Sequence, residues 1–141
     1  MCAARLGREQ NVYAVTGWVR RVKLHEDDGD WHIELTGERS TAVDSCIVVE
    51  IPAPSFGGTY QKARSELAAL VDTASLTPQG NLRTPVRLRF AGLAFFDGIH
   101  QKRSRGPGGS THAEGHGRCN SSVRALWELH PVYGVTAPES P

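Results

Sequence analysis

The sequence predicts a mainly β fold, a five-stranded OB-fold-like Greek-key barrel with one helix between strands 3 and 4. Three observations predict it. Five segments rich in β-branched and aromatic residues show period-two patterning. One segment of helical period falls between the third and fourth of them. The first segment is long and broken by a mid-strand glycine, as expected of a strand that bends to serve two sides of a closed barrel. A β-grasp or another small α+β fold shares part of this order but does not explain the long kinked first strand. At 141 residues the chain is expected to form one domain.

Residues 1–10 read as a flexible, charged leader without the apolar stretch of a signal peptide. The barrel is expected over 11–135, with 98–122 as a long flexible loop and 136–141 as a tail. Strand one runs from Asn11 to Leu24, with Gly17 as the expected bulge. The acidic stretch His25 to Asp30 contains an Asp-Gly hairpin turn. In Trp31 to Leu35, the residues Trp31, Ile33 and Leu35 point inward while His32 and Glu34 point outward. Cys46 to Ile51 is a β-branched strand stopped by Pro52 and Pro54. Thr59 is the expected cap of a helix over Tyr60 to Asp72, where Tyr60, Ala63, Leu67, Leu70 and Val71 recur at helical spacing. The fourth strand is Val86 to Phe90, continuing through Gly92 to Phe96. The last strand, Val123 to Tyr133, carries Ala125, Trp127 and Leu129 on one face and Arg124, Leu126, Glu128 and His130 on the other.

The hydrophobic fraction is 39% and the net charge +1, so no global charge argues for a nucleic acid partner. No apolar run approaches a membrane span. The three cysteines are odd in number and scattered. Cys46 reads as a small buried hydrophobe, and with no disulfide framework the cytoplasm is the default location.

The chemistry is expected where the topology gathers polar side chains. In such a barrel the first three strands form an antiparallel meander, so Asp28, Asp30 and His32 fall near Glu50. A fifth strand parallel to the third brings Glu128 and His130 to the same rim. Carboxylates and imidazoles in that arrangement can hold a divalent metal or act as an acid–base pair. The expected metal ligands are Asp30, His32, Glu50, Glu128 and His130. The candidate catalytic groups are His32, Asp97, His100 and His130, with Asp97 able to orient His100. The plainer reading makes these outward residues satisfied by water or by each other, with Asp97 serving the turn at Gly98. His130, before Pro131, can equally bond a backbone carbonyl.

A second surface is basic. Lys102, Arg103 and Arg105 lie in the glycine-rich connection between strands four and five, one of the loops with which OB barrels grip oligonucleotides or oligosaccharides. With Arg118, Arg124, Arg21 and Lys23 they are the expected ligand-binding residues for a phosphate backbone. Trp18, Tyr13 and Tyr133 are the aromatic candidates for base stacking. His112, His116 and Cys119 have tolerable zinc spacing without a fourth ligand.

Gly92 to His100, followed by Glu128-Leu129-His130-Pro131-Val132, resembles the C-terminal signature of an uncharacterised bacterial family of small OB-fold-like proteins. Asp28-Gly29-Asp30-Trp31-His32 and Val49-Glu50-Ile51-Pro52 match its second strand and third-strand ending. The resemblance spans residues 13 to 135 and implies a fold without an activity. More distantly, Asp28-Gly29-Asp30 and Glu50-Ile51-Pro52 resemble the staphylococcal nuclease-like layout, in which such residues build a calcium site. The chain departs from that layout in having Ala53 in place of the general base and no arginine over Asp44 to Val49.

Three functions are therefore in play. The first is an OB-fold binding module for single-stranded nucleic acid or another anionic polymer. The second is a metal-dependent, nuclease-like hydrolase with a histidine–carboxylate rim site. The third is a protein-interaction domain without catalytic activity. Fold analogy ranks the first highest.

Overall fold

The computed structural model describes residues 4–97, 103–105, 111–113, 118–119 and 127–140. The strands are β1 (Val12–Lys23), β2 (Trp31–Thr36), β3 (Ile47–Ile51), β4 (Asn81–Phe96), the short β5 (Arg103–Arg105) and β6 (Thr111–Ala113), and β7 (Trp127–Thr136). One helix, α1, spans Gly58–Leu70. Five strands close a barrel in the order β1–β2–β3–β7–β4, with β4 returning to β1. Among the described residues, only β3 and β7 pair in parallel. This is the OB-fold-like arrangement, with the helix between β3 and β4.

The core follows from alternation. Ile33 and Leu35 of β2, Val49 and Ile51 of β3, and Leu129 and Val132 of β7 are buried inside, where Phe90 of β4 meets them. Ala63 and Leu67 of α1 join this cluster, so the helix plugs one end of the barrel. The helix begins at Gly57, without a side-chain cap; Thr59, the expected cap, already lies in its first turn. Leu70, expected in the core, is partly exposed because the helix ends there, and the extended Val71 turns inward instead.

Two boundaries move. β4 starts at Asn81, ahead of the expected Val86, because its first residues pair with β1 beyond the bulge. That bulge lies between Val19 and Arg21, not at Gly17. Gly17 has another reason to lack a side chain. A Cβ there would sit 3.1 Å from the Thr36 carbonyl oxygen and 3.2 Å from the Leu35 Cβ.

Cys46 is buried, but as half of a disulfide with Cys119, 73 residues away in the chain. The odd count hid a pair, because Cys119 reaches the end of β3 only once the barrel closes. That bond removes Cys119 from any zinc set with His112 and His116, and His116 lies outside the described residues. Within 98–122, the described residues pair β5 with β6 antiparallel and join Cys119 to the barrel. Two residues of the leader also touch the barrel. Arg5 donates to the carbonyls of Ala94 and His130, at 3.0 and 2.7 Å, and Glu9 accepts from the Phe96 amide.

Candidate functional site

The outward residues of β2, β3 and β7 form lateral rows. His32 lies opposite Glu50, and the parallel register that sets Val48 beside Glu128 brings His130 up to Glu50. The result is a continuous chain of alternating charge. Glu34, only 1% exposed, accepts from Arg21, from Arg118 and from His32 Nε2. His32 Nδ1 lies 3.1 Å from Glu50 Oε1. The other Glu50 oxygen is 3.4 Å from His130 Nδ1, which is also 3.1 Å from Glu128 Oε1. His130 Nε2 lies 3.2 Å from Asp30 Oδ2.

These contacts set the protonation states. Burial by itself would lower the pKa of His32, but the hydrogen bonds to Glu34 and Glu50 override it and push the pKa up to about 9. His130 is also raised, with burial again opposed, here by Glu128, Glu50 and Asp30. Burial opposes ionisation of Glu34 too, yet His32 and Arg118 hold it below the usual carboxylate range. Asp30 goes the other way: burial raises it, and the nearby imidazole offsets this only in part.

Local structure aims Asp30 at this group. Gly29 adopts φ +84°, the left-handed conformation that glycine enters without steric cost. The Asp30 amide donates to Asp28 Oδ1 at 3.0 Å, which closes the turn. Arg64 of α1 then joins the two halves of the site, donating to the Gly29 carbonyl at 2.5 Å and the Ile51 carbonyl at 3.1 Å. Its guanidinium lies 4.8 Å from the Trp31 ring centroid. Behind His130, β4 carries Gly92, where a Cβ would lie 2.3 Å from the Pro131 carbonyl oxygen. The close approach of β7 depends on that glycine.

One acceptor atom each from Asp30 and Glu50 and a ring nitrogen of His130 all lie within 4.8 Å of one another. These three can hold a cation. His32 and Glu128, expected as ligands with them, sit one step out and bond to Glu50 and His130. His130 turns to carboxylates and not to a backbone carbonyl. The site opens into a cleft of about 580 Å³ whose walls include Arg5, Asp28, Phe56, Tyr60 and Tyr133.

Of the expected basic surface, the described side chains are those of Arg21, Lys23 and Arg118. Arg118 and Arg21 point at Glu34, and Lys23 pairs with Glu26. Each of these three is drawn to a nearby carboxylate. Lys102, Arg124 and His100 lie outside the described residues, as do the side chains of Arg103 and Arg105. Asp97 is buried at the end of β4, while its expected partner His100 lies outside that description. Trp18 is covered by Arg39, and Tyr13 is exposed on β1. Two residues beside the candidate site had no sequence signal: Arg5 in the leader and Arg64 on the helix. Phe56 had one, a lone aromatic between Pro54 and Gly57 that no strand or helix pattern absorbs.

No family model, curated protein or solved structure matches this chain.

Proposed function

We propose that this OB-fold-like barrel is a cation-dependent binding module for single-stranded nucleic acid, in which Asp30, Glu50 and His130 hold a divalent ion and the ion takes a phosphate. One observation carries the reading: two carboxylates and an imidazole, from the turn before β2, from β3 and from β7, bring one ligand atom each to within 4.8 Å of one another. Mixed oxygen and nitrogen donors suit an ion such as Mn²⁺ or Zn²⁺. His32 and Glu128 would orient the ligands from outside, as partners of metal-bound groups commonly do. The disulfide favours an oxidising compartment, so the cytoplasmic expectation loses the argument it rested on.

A metal-dependent hydrolase would use the same convergence. It also needs a proton acceptor beside the ion, and Ala53 stands where the nuclease-like layout has one. Release of acid-soluble product from a labelled oligonucleotide separates the two readings.

The direct test is thermal. Mn²⁺ or Zn²⁺ bound by the folded state alone stabilises it by about 2.7 kcal/mol at a hundredfold excess over Kd. Asp30→Asn and His130→Gln should each abolish the rise in Tm. A wild-type Tm unmoved by either ion would end the proposal, as would an unchanged rise in both variants.

A further inference from the structure

The cleft beside the rim has a second character that cation binding does not use. Three aromatic rings line it together with Asp30 and His130: Phe56, Tyr60 and Tyr133. Tyr60 and Tyr133 come from α1 and β7 and stack with centroids 6.4 Å apart and planes 18° apart. Their orientation is therefore fixed by two elements of the scaffold. Phe56 is 72% exposed, on a short turn that starts at Pro54 and is closed by the Phe56 amide donating to the Ala53 carbonyl at 3.0 Å. A large ring held in water beside a polar site marks a surface that gains by being covered.

The charge in the cleft is also distinctive. Arg21, Arg118 and Lys23 are each drawn to a carboxylate. Arg5 is anchored differently, by two backbone carbonyls and the face of the Phe95 ring, whose centroid is 5.4 Å from the guanidinium, with Glu9 the carboxylate that feels its charge. One cleft thus presents a cation site, a fixed guanidinium and an aromatic wall. A nucleotide has the matching groups, a phosphate and a planar base.

We infer that this cleft is a nucleobase subsite, with Phe56, Tyr60 and Tyr133 stacking an unpaired base while Arg5 faces the adjoining phosphate. The inference deepens the proposed function and rests on it for the phosphate, but the aromatic wall can be tested separately. A base inside a duplex has both faces covered by its neighbours, so only a single strand can use the wall.

The experiment is fluorescence anisotropy with a short labelled oligothymidylate and an abasic deoxyribose-phosphate polymer of equal length, each with Mn²⁺ and with EDTA. The wild-type protein should prefer the base-bearing strand roughly 10-fold or more, the scale expected for loss of one stacked base. Phe56→Ala should remove most of that preference, and Phe56→Ala with Tyr133→Leu nearly all of it. Neither should change the affinity for the abasic polymer or the rise in Tm with Mn²⁺, which also shows that the variants fold. Asp30→Asn should do the reverse, losing the Mn²⁺ effect and keeping the preference for bases. Equal wild-type affinity for the two polymers overturns the subsite, and so does a preference that survives both aromatic substitutions. A preference seen in EDTA without any Mn²⁺ effect keeps the subsite and removes the cation reading.

Discussion

Strands β2, β3 and β7 present two opposite surfaces built from alternate residues of the same segments. On the inside, Ile33, Val49 and Leu129 meet hydrocarbon. On the outside, His32, Glu34, Glu50, Glu128 and His130 meet one another; Glu34 is as buried as many core residues, and Glu128 is buried too. Burial stabilises the first surface, at about 25 cal/mol for each Å² of apolar area removed from water. For the second, burial is a cost that the mutual pairing of the charges offsets. A stable barrel needs the inner surface. A barrel as such does not require a charged outer surface.

Substitutions on the two surfaces should differ in size. The largest effect is expected inside: Phe90→Ala leaves a cavity where five strands meet and should cost about 3–5 kcal/mol in denaturant titration. On the outer surface, Glu34→Ala leaves Arg21, Arg118 and His32 without their shared anion, and should cost about 3 kcal/mol. A cost no larger than that of an ordinary surface substitution would show the outer surface to be mere solvated polarity. Replacing both Cys46 and Cys119 by alanine should cost about 2–3 kcal/mol, read as the fall in denaturant midpoint. In that background Arg118→Ala should matter less, because the disulfide to the neighbouring Cys119 holds Arg118 against Glu34.

The smallest effect is in pH. His32 has a folded-state pKa of about 9, above its unfolded value. Its contribution is therefore complete below the unfolded value and is lost as pH rises through about 9. Glu34 behaves oppositely, because its folded-state pKa is lowered. It contributes above the unfolded carboxylate value and less as pH falls through the folded one. Denaturant midpoints should thus decline on both sides of neutrality, and His32→Gln should flatten the alkaline decline. Part of the limb should survive through His130, whose pKa is raised as well, and an alkaline decline unchanged by His32→Gln together with His130→Gln would place the proton elsewhere.

Much of this molecule can be read without coordinates. Period-two alternation sorts Ile33 from His32 and Glu34, and the Asp-Gly turn announces the β1–β2 hairpin. Pro52 and Pro54 close β3 because neither can donate to a ladder. Strand order then places Asp30, Glu50 and His130 on a common rim. The bulge was less legible, since Gly17 marks a bend in the pattern whereas the register slip falls at Arg20. The partners of the basic residues were not legible either. A list of cations does not say which carboxylate each will meet, and Arg21 and Arg118 both turn to Glu34.

What the chain declares alone is local: which face each side chain takes, where strands stop and where the helix falls, because alternation, turn chemistry and proline act over a few residues. Closure of the barrel decides the rest. It makes Asp30 and Glu50 share His130, bonds Cys46 to Cys119, brings Arg5 to the His130 carbonyl and lays Tyr133 on Tyr60. Those contacts join residues far apart in the chain, and their geometry depends on strand register, which neither partner encodes in its own neighbourhood.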